Sequence, residues 1–205
     1  MGTHNKGKVE EIRLLLKGLP LHVCSLSDFP DVTMVEETGL TYEENSKLKA
    51  LSYASATKIA TLADDSGLEV DALGGLPGVK SARFGGALAS DEDRIHALLA
   101  RLDGVPDELR TARFVCCLTL AGLRENDKSQ GTEPSVFSVT RGEVEGRIAM
   151  SPEGRHGFGY DPIFIPDGYS ESMAALSPKI KNLISHRARA LASMKFNIES
   201  WIRQT

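Results

Sequence analysis

Two adjacent aspartates interrupt an apolar stretch at Ile59-Ala60-Thr61-Leu62-Ala63-Asp64-Asp65-Ser66-Gly67-Leu68. Paired charges carried into apolar surroundings leave a chain few ways to fold around them. The apolar lead-in predicts a buried strand that delivers Asp64 and Asp65 at its end, and Ser66-Gly67 predicts a sharp turn directly after them. Neighbouring carboxylates at a strand end repel one another and lose hydration, so they require a metal ion or a cationic ligand nearby. Asp, Ser and Gly are also ordinary turn residues, and a solvated turn accounts for the same pattern about equally well.

A chain of 205 residues buries a substantial core, as one domain or one domain with two lobes. The formal charge of −4 gives no general attraction to nucleic acid. No apolar run reaches bilayer-spanning length, and no signal-peptide core stands at the N-terminus, so no membrane association is expected. The three cysteines, Cys24, Cys116 and Cys117, are odd in number and lack ligand spacing. That argues against both a disulfide framework and a zinc site. Cys116 and Cys117 stand in an apolar run as core thiols, and a reducing cytoplasm is the expected compartment.

Periodicity predicts helices over residues 7–17, 41–58, 90–102 and from about 185 onward. Thr41 with Glu44, and Ser90 with Asp93, have the spacing of capping boxes. Strands are predicted over 20–26, 68–73, 111–123, 136–141, 143–149 and 162–166, with the pair 136–141 and 143–149 alternating as neighbours. The polar segment 124–135 reads as an exposed hairpin loop. Helices and strands alternate irregularly, which points to a mixed α/β fold rather than a regular doubly wound sheet.

Four further segments carry chemistry. Thr3-His4-Asn5-Lys6-Gly7-Lys8 stands before a helix, where backbone N–H groups, the positive dipole end and two lysines suit phosphate; a capped N-terminal tail is the plainer explanation. Glu36-Glu37-Thr38-Gly39, followed by Lys47 and Lys49, could join the aspartates on one Mg²⁺, or form a solvated, acidic helix start. Gly157-Phe158-Gly159-Tyr160-Asp161-Pro162 lets a planar ligand approach the backbone, although a glycine turn with a core aromatic is as good an account. Lys181 with Ser185-His186-Arg187 places cations at a helix start, against its dipole, which an anion or acceptor would offset.

Taken together and in this order, these segments resemble the Ham1/RdgB family of inosine triphosphate pyrophosphatases. The resemblance runs from Thr3 to about Leu191 and includes Ala72-Leu73-Gly74-Gly75-Leu76-Pro77-Gly78 and Ser81-Ala82-Arg83-Phe84. It implies an α/β fold with an elongated mixed β-sheet flanked by helices, two lobes around a central cleft in a single domain over 1–205, and a homodimer. It implies Mg²⁺-dependent cleavage of ITP, dITP or XTP to the monophosphate and pyrophosphate. Carried over by position, Asp65 matches the catalytic acid, and Glu37 and Asp65 match the magnesium positions. Thr3, Asn5 and Lys8, within the candidate loop of Thr3, His4, Asn5, Lys6, Gly7 and Lys8, match the triphosphate loop. Lys49 and Ser66 match further substrate contacts. Phe158, Gly159, Tyr160, Asp161, Lys181, His186 and Arg187 match the positions that hold the base, with Arg187 a candidate donor to a 6-oxo group.

Family members begin with a short apolar strand that delivers the Thr-x-Asn loop, whereas Met1-Gly2 leads straight into Thr3 here. The expectation is a loosely held phosphate loop and low turnover. The other readings weighed against the main one are a Maf-like pyrophosphatase acting on other modified nucleotides, and a nucleotide-binding module with little turnover.

Overall fold

The computed structural model describes residues 1–86, 88–123 and 133–203. Most of the predicted loop over 124–135 therefore lies outside the described residues. In chain order the principal elements are α1 (Lys6–Leu15), α2 (Tyr42–Thr57), β1 (Thr61–Val70), α3 (Asp91–Arg101), β2 (Thr111–Gly122), β3 (Ser135–Ile148), β4 (Phe164–Pro166), α4 (Pro178–Ile184) and α5 (His186–Ile202). The fold is mixed α/β, with the strands in one sheet ordered β1-β2-β3-β4. β3 and β4 pair antiparallel, with Gly146 opposite Pro166 and Ile148 opposite Phe164. A side chain at Gly146 would overlap the Ile165 carbonyl, so glycine is what lets β4 approach. No helix among the described residues is long and apolar enough to cross a membrane.

The chain divides into two compact units. One comprises Met1–Asp65, Cys116–Gly142 and Arg187–Thr205; the other comprises Ser66–Val115 and Glu143–His186. The first has a core of Ile12 from α1 with Leu16 just after it, Leu118 and Leu120 from β2, and Leu191, Met194 and Ile198 from α5. Its helix α5 keeps the apolar stripe read from the sequence, because Leu191, Met194 and Ile198 recur at helical spacing. The second unit is built on Leu68 and Val70 of β1, Leu98 of α3, Ile148 of β3, and Phe164 with Met173.

Both capping boxes form. Thr41 accepts from the Glu44 amide at 3.1 Å, and Ser90 accepts from the Asp93 amide at 3.1 Å, with each acid returning to its cap. Three predictions fail for identifiable reasons. First, β1 runs unbroken through Asp64, Asp65, Ser66 and Gly67, so no turn follows the acids; compensation of their charge by distant cations, described below, lets the strand continue. Second, residues 20–25 form no strand: the Val23 carbonyl accepts from the Arg13 guanidinium at 3.1 Å and the Cys24 carbonyl accepts from the Met1 ammonium at 2.8 Å. Third, 136–141 and 143–149 are one strand, β3, because Gly142 does not adopt a left-handed conformation and makes no turn. Helix α4, capped by Ser177 with Pro178 in its first turn, was not foreseen.

Candidate active site

A strand's two-residue period sends Asp64 and Asp65 to different partners. Asp64 is fully buried. One carboxylate oxygen pairs with the Lys8 ammonium; the other accepts from Arg187 Nε at 2.9 Å and from Cys116 Sγ at 3.1 Å. Arg187 is itself 1% exposed and also pairs with Glu11. Burial alone would raise the Asp64 carboxyl, but Arg187 and then Lys8 overcome it and hold the group well below the usual carboxylate range. The Arg187 guanidinium is driven the other way: burial opposes its charge, and Asp64 and Glu11 more than restore it.

Asp65 faces a different set. Lys49 Nζ bridges Glu37 Oε1 at 2.7 Å and Asp65 Oδ1 at 2.9 Å. Asn45 donates to Asp65 Oδ2 at 3.3 Å and accepts the Gly39 amide at 2.8 Å, which ties the Glu37 loop to α2. At Gly39 a Cβ would stand 2.7 Å from Asn45 Oδ1, so the loop packs this closely only with glycine there. Burial raises the Asp65 carboxyl, Lys49 resists, and the Glu37 charge adds to the rise, leaving it above its ordinary value. Lys49 is raised too: burial would lower it, but Asp65 and Glu37 outweigh that effect.

Two carboxylates converging on one ammonium mark a place built for positive charge. Two hard oxygen donors fit Mg²⁺, which takes one or two protein carboxylates and completes its shell with water and phosphate.

The loop before α1 is held at both ends. The Gly2 amide donates to the Leu62 carbonyl of β1 at 2.9 Å, and a Cβ at Gly2 would stand 2.9 Å from the Tyr53 ring. Thr3 Oγ1 accepts the Asn5 amide at 3.1 Å, and Asn5 caps the helix by accepting the Lys8 amide at 3.1 Å. The loosely held loop expected from the sequence is thus not what the structure shows. Lys6 and Gly7, the first two residues of α1, have no carbonyl a turn earlier within the helix for their N–H groups to reach. His4, Asn5 and Lys6 are exposed around them.

In the second unit, Asp161 Oδ2 accepts the Phe158 amide at 2.8 Å and the Lys181 ammonium at 2.6 Å. Lys181 Nζ stands 4.7 Å from the centre of the Phe158 ring. A side chain at Gly157, whose φ is +82°, would overlap the Asp161 carboxylate. Phe158, Asp161 and Lys181 are thus brought together as expected. Tyr160 is different: it is buried and its hydroxyl donates to the Ser81 carbonyl at 3.0 Å, which makes it a core residue that anchors the loop. His186 is buried with its ring stacked on Phe114, centroids 4.9 Å apart. Ser66 lies half-buried on β1, next to Asp65.

Arg187 pairs with Asp64 and Glu11 within the first unit, whereas Phe158, Asp161 and Lys181 belong to the second. Asn45 and Glu11 were missed by sequence reasoning. Asn45 sits in a cap-rich helix start that explained it locally. Glu11 stands one turn after Lys8, a spacing that puts both on one face of α1, toward the Asp64–Arg187 pair.

The chain matches the model of the Ham1 family over residues 1–197. A dITP/XTP pyrophosphatase of Geobacter sulfurreducens is 49% identical over 195 residues, which is 95% of this chain and 93% of that relative. One from an Exiguobacterium species is 47% identical over 199 residues, 97% of this chain and 95% of that relative. Among solved structures, a HAM1 protein from Coxiella burnetii superposes with a TM-score of 0.82 at 37% identity, covering 97% of this chain and 96% of its own. The Staphylococcus aureus Ham1 protein gives 0.80 at 39% identity, with the same coverage, 97% and 96%.

Proposed function

The chain belongs to the Ham1 family, and from that premise we propose that it removes non-canonical purine nucleotides by hydrolysing dITP, ITP and XTP to the monophosphate and pyrophosphate. It is a hydrolase of triphosphate anhydrides. The observation that carries this reading is the inequality of the two acids. One is neutralised by buried cations, and the other shares the Lys49 ammonium with Glu37. Nothing comparable favours a Maf-like enzyme or an inert binding module.

We assign Glu37 and Asp65 as the residues that would hold Mg²⁺, which when bound supplies charge neutralisation at the phosphate oxygens. The Lys6 and Gly7 amides, with the dipole of α1 behind them, receive the triphosphate oxygens. Lys8 and Lys49 stand by as cations, each now occupied by a carboxylate that an incoming polyanion can replace. Asp65 orients the attacking water and takes its proton, which a carboxylate can do in its ionised form. Little covalent work falls to the protein in phosphoryl transfer, so positioning and charge account for the rate.

For the base we propose stacking on Phe158 beside Lys181, with selection by donors of the loop over residues 157–161. A 6-oxo purine presents an acceptor at O6 and a donor at N1, and adenine reverses both. A donor facing the adenine amino group is left unpaired, at about 1–3 kcal/mol each. Backbone N–H groups of the loop and the Lys181 ammonium are the donors we assign to O6. We further propose a homodimer in a reducing cytoplasm, in keeping with the free state of Cys24, Cys116 and Cys117.

Pyrophosphate release measured with Mg²⁺ over dITP, ITP, XTP, dUTP, GTP and ATP tests the reading. Preference for dITP, ITP and XTP over GTP, dUTP and ATP is expected; preference for ATP or for a pyrimidine would overturn it.

A further inference from the structure

The loop that carries Phe158 is flexible by composition. Gly157 and Gly159 both have positive φ, +82° and +62°, and glycine gives up more conformational freedom on ordering than any other residue. A stacking residue between two such glycines is held only as well as the loop is pinned from outside. Two pins are already described: Asp161 with Lys181, and the Tyr160 hydroxyl on Ser81. The third comes from Asp91, the first residue of α3. Its Oδ2 accepts the Gly159 amide at 2.7 Å. Its other oxygen pairs with Arg94, one turn along the same helix. Arg94 in turn donates to the Ala82 carbonyl at 3.0 Å and the Ala89 carbonyl at 2.6 Å.

The connections form a brace. Ser81 and Ala82 are consecutive: the Ser81 carbonyl receives Tyr160, and the Ala82 carbonyl receives Arg94. The segment around Ser81 therefore grips the aromatic loop twice, once directly through Tyr160 and once through Arg94 and Asp91 to Gly159. The Ser81 hydroxyl fixes this segment to the sheet, accepting the Leu68 amide of β1 at 2.9 Å and donating to the Gly78 carbonyl at 2.6 Å. Asp91 also serves its helix, since a carboxylate in the first turn complements the dipole, but Glu92 and Asp93 already do so. What neither neighbour does, among the described contacts, is accept the Gly159 amide.

We propose that Asp91, oriented by Arg94, is a positioning residue for nucleobase binding: it fixes the Gly159 amide and so holds the Phe158 ring in place for the base. This rests on the assignment of Phe158 to the base. The Asp91 side chain is 46% exposed, so its removal leaves no cavity in the core. A hydrogen bond from a backbone amide to a charged acceptor, lost from one loop, corresponds to about a tenfold change in apparent affinity.

The test compares Asp91→Ala, Asp91→Asn and Phe158→Ala in the full chain, by steady-state kinetics on ITP and ATP with melting temperature as a control. Asp91→Ala is expected to raise KM for ITP about tenfold with kcat within about twofold, and to narrow the preference for ITP over ATP. Asp91→Asn keeps an oxygen that can accept the Gly159 amide, and should stay within about threefold of the parent KM. If Phe158→Ala raises KM and Asp91→Ala does not, the brace is overturned and the base assignment stands. Equal KM effects from Asp91→Ala and Asp91→Asn would also overturn it, because helix charge and not the Gly159 contact would then be responsible. If Phe158→Ala leaves KM unchanged, the base assignment falls and the proposal falls with it.

Discussion

Asp64 and Asp65 share a side chain and a peptide bond, yet the strand gives them opposite electrostatic tasks. Asp64 is a counter-ion. Replacing it by Asn leaves Arg187 and Lys8 without their shared partner inside the protein, and the variant should lose about 3–5 kcal/mol of stability in urea unfolding. The pH dependence follows from the direction of the shift. The folded carboxyl lies below the unfolded value of about 3.9. Its contribution is therefore fully present above that pH and drains away as pH falls through the folded value. Acid unfolding below about pH 4 should be steep in the parent and shallower in Asp64→Asn. Asp65 has the opposite sign: its carboxyl is raised, so its ionisation works against the fold. Asp65→Asn should lower kcat by about 10²–10⁴-fold while the melting temperature holds or rises. Undiminished turnover would remove Asp65 from the reaction. The thiols offer an independent check on burial. Cys117 is pushed up to about 11 by burial and Cys116 well above its ordinary value for the same reason. Iodoacetamide at pH 8 should label the native chain once, at the half-buried Cys24, and three times in denaturant, as counted by intact mass.

At the scale of elements, what was legible was local. Thr41 and Ser90 announced their helices because a cap and its acid stand three residues apart, and no distant part of the chain can change that. The apolar stripe of α5 was legible for the same reason. The turn at Ser66-Gly67 was misjudged because its cause is remote: Arg187 and Lys8 neutralise Asp64, and the strand carries on. The strand expected at 20–26 failed when Arg13 and the Met1 ammonium took two of its carbonyls. Of the site, the residue types and their order were readable, and the partner of Arg187 was not, because nothing adjacent to Arg187 in sequence indicates Asp64 or Glu11. The loop at 157–161 allows a direct test of element geometry. In Gly157→Ala a methyl would overlap the Asp161 carboxylate at a positive φ. The Asp161–Lys181 pair under Phe158 must then shift. KM for ITP should rise at least about tenfold, with the melting temperature falling only modestly. An unchanged KM would mean that this pair does not shape the base site.

Across the whole molecule, the two compact units are each discontinuous in sequence. The chain passes from one to the other after Asp65, Val115, Gly142 and His186. A ligand that engages the native chain should raise its stability as mass action requires: ITP at about 100 times its Kd, added to Asp65→Asn to suppress turnover, should contribute about 2.7 kcal/mol, read as a rise in melting temperature. ATP at equal concentration should give a smaller rise. The pairing of Asp64 with Arg187 has a consequence for biosynthesis. The two residues are 123 positions apart, so at about 5–20 residues per second Asp64 emerges from the ribosome roughly 6–25 s before its guanidinium. Throughout that interval β1 carries an acid without the guanidinium that pairs with it in the folded chain. Burial of Asp64 as a paired charge therefore waits for the first turn of α5 to be made.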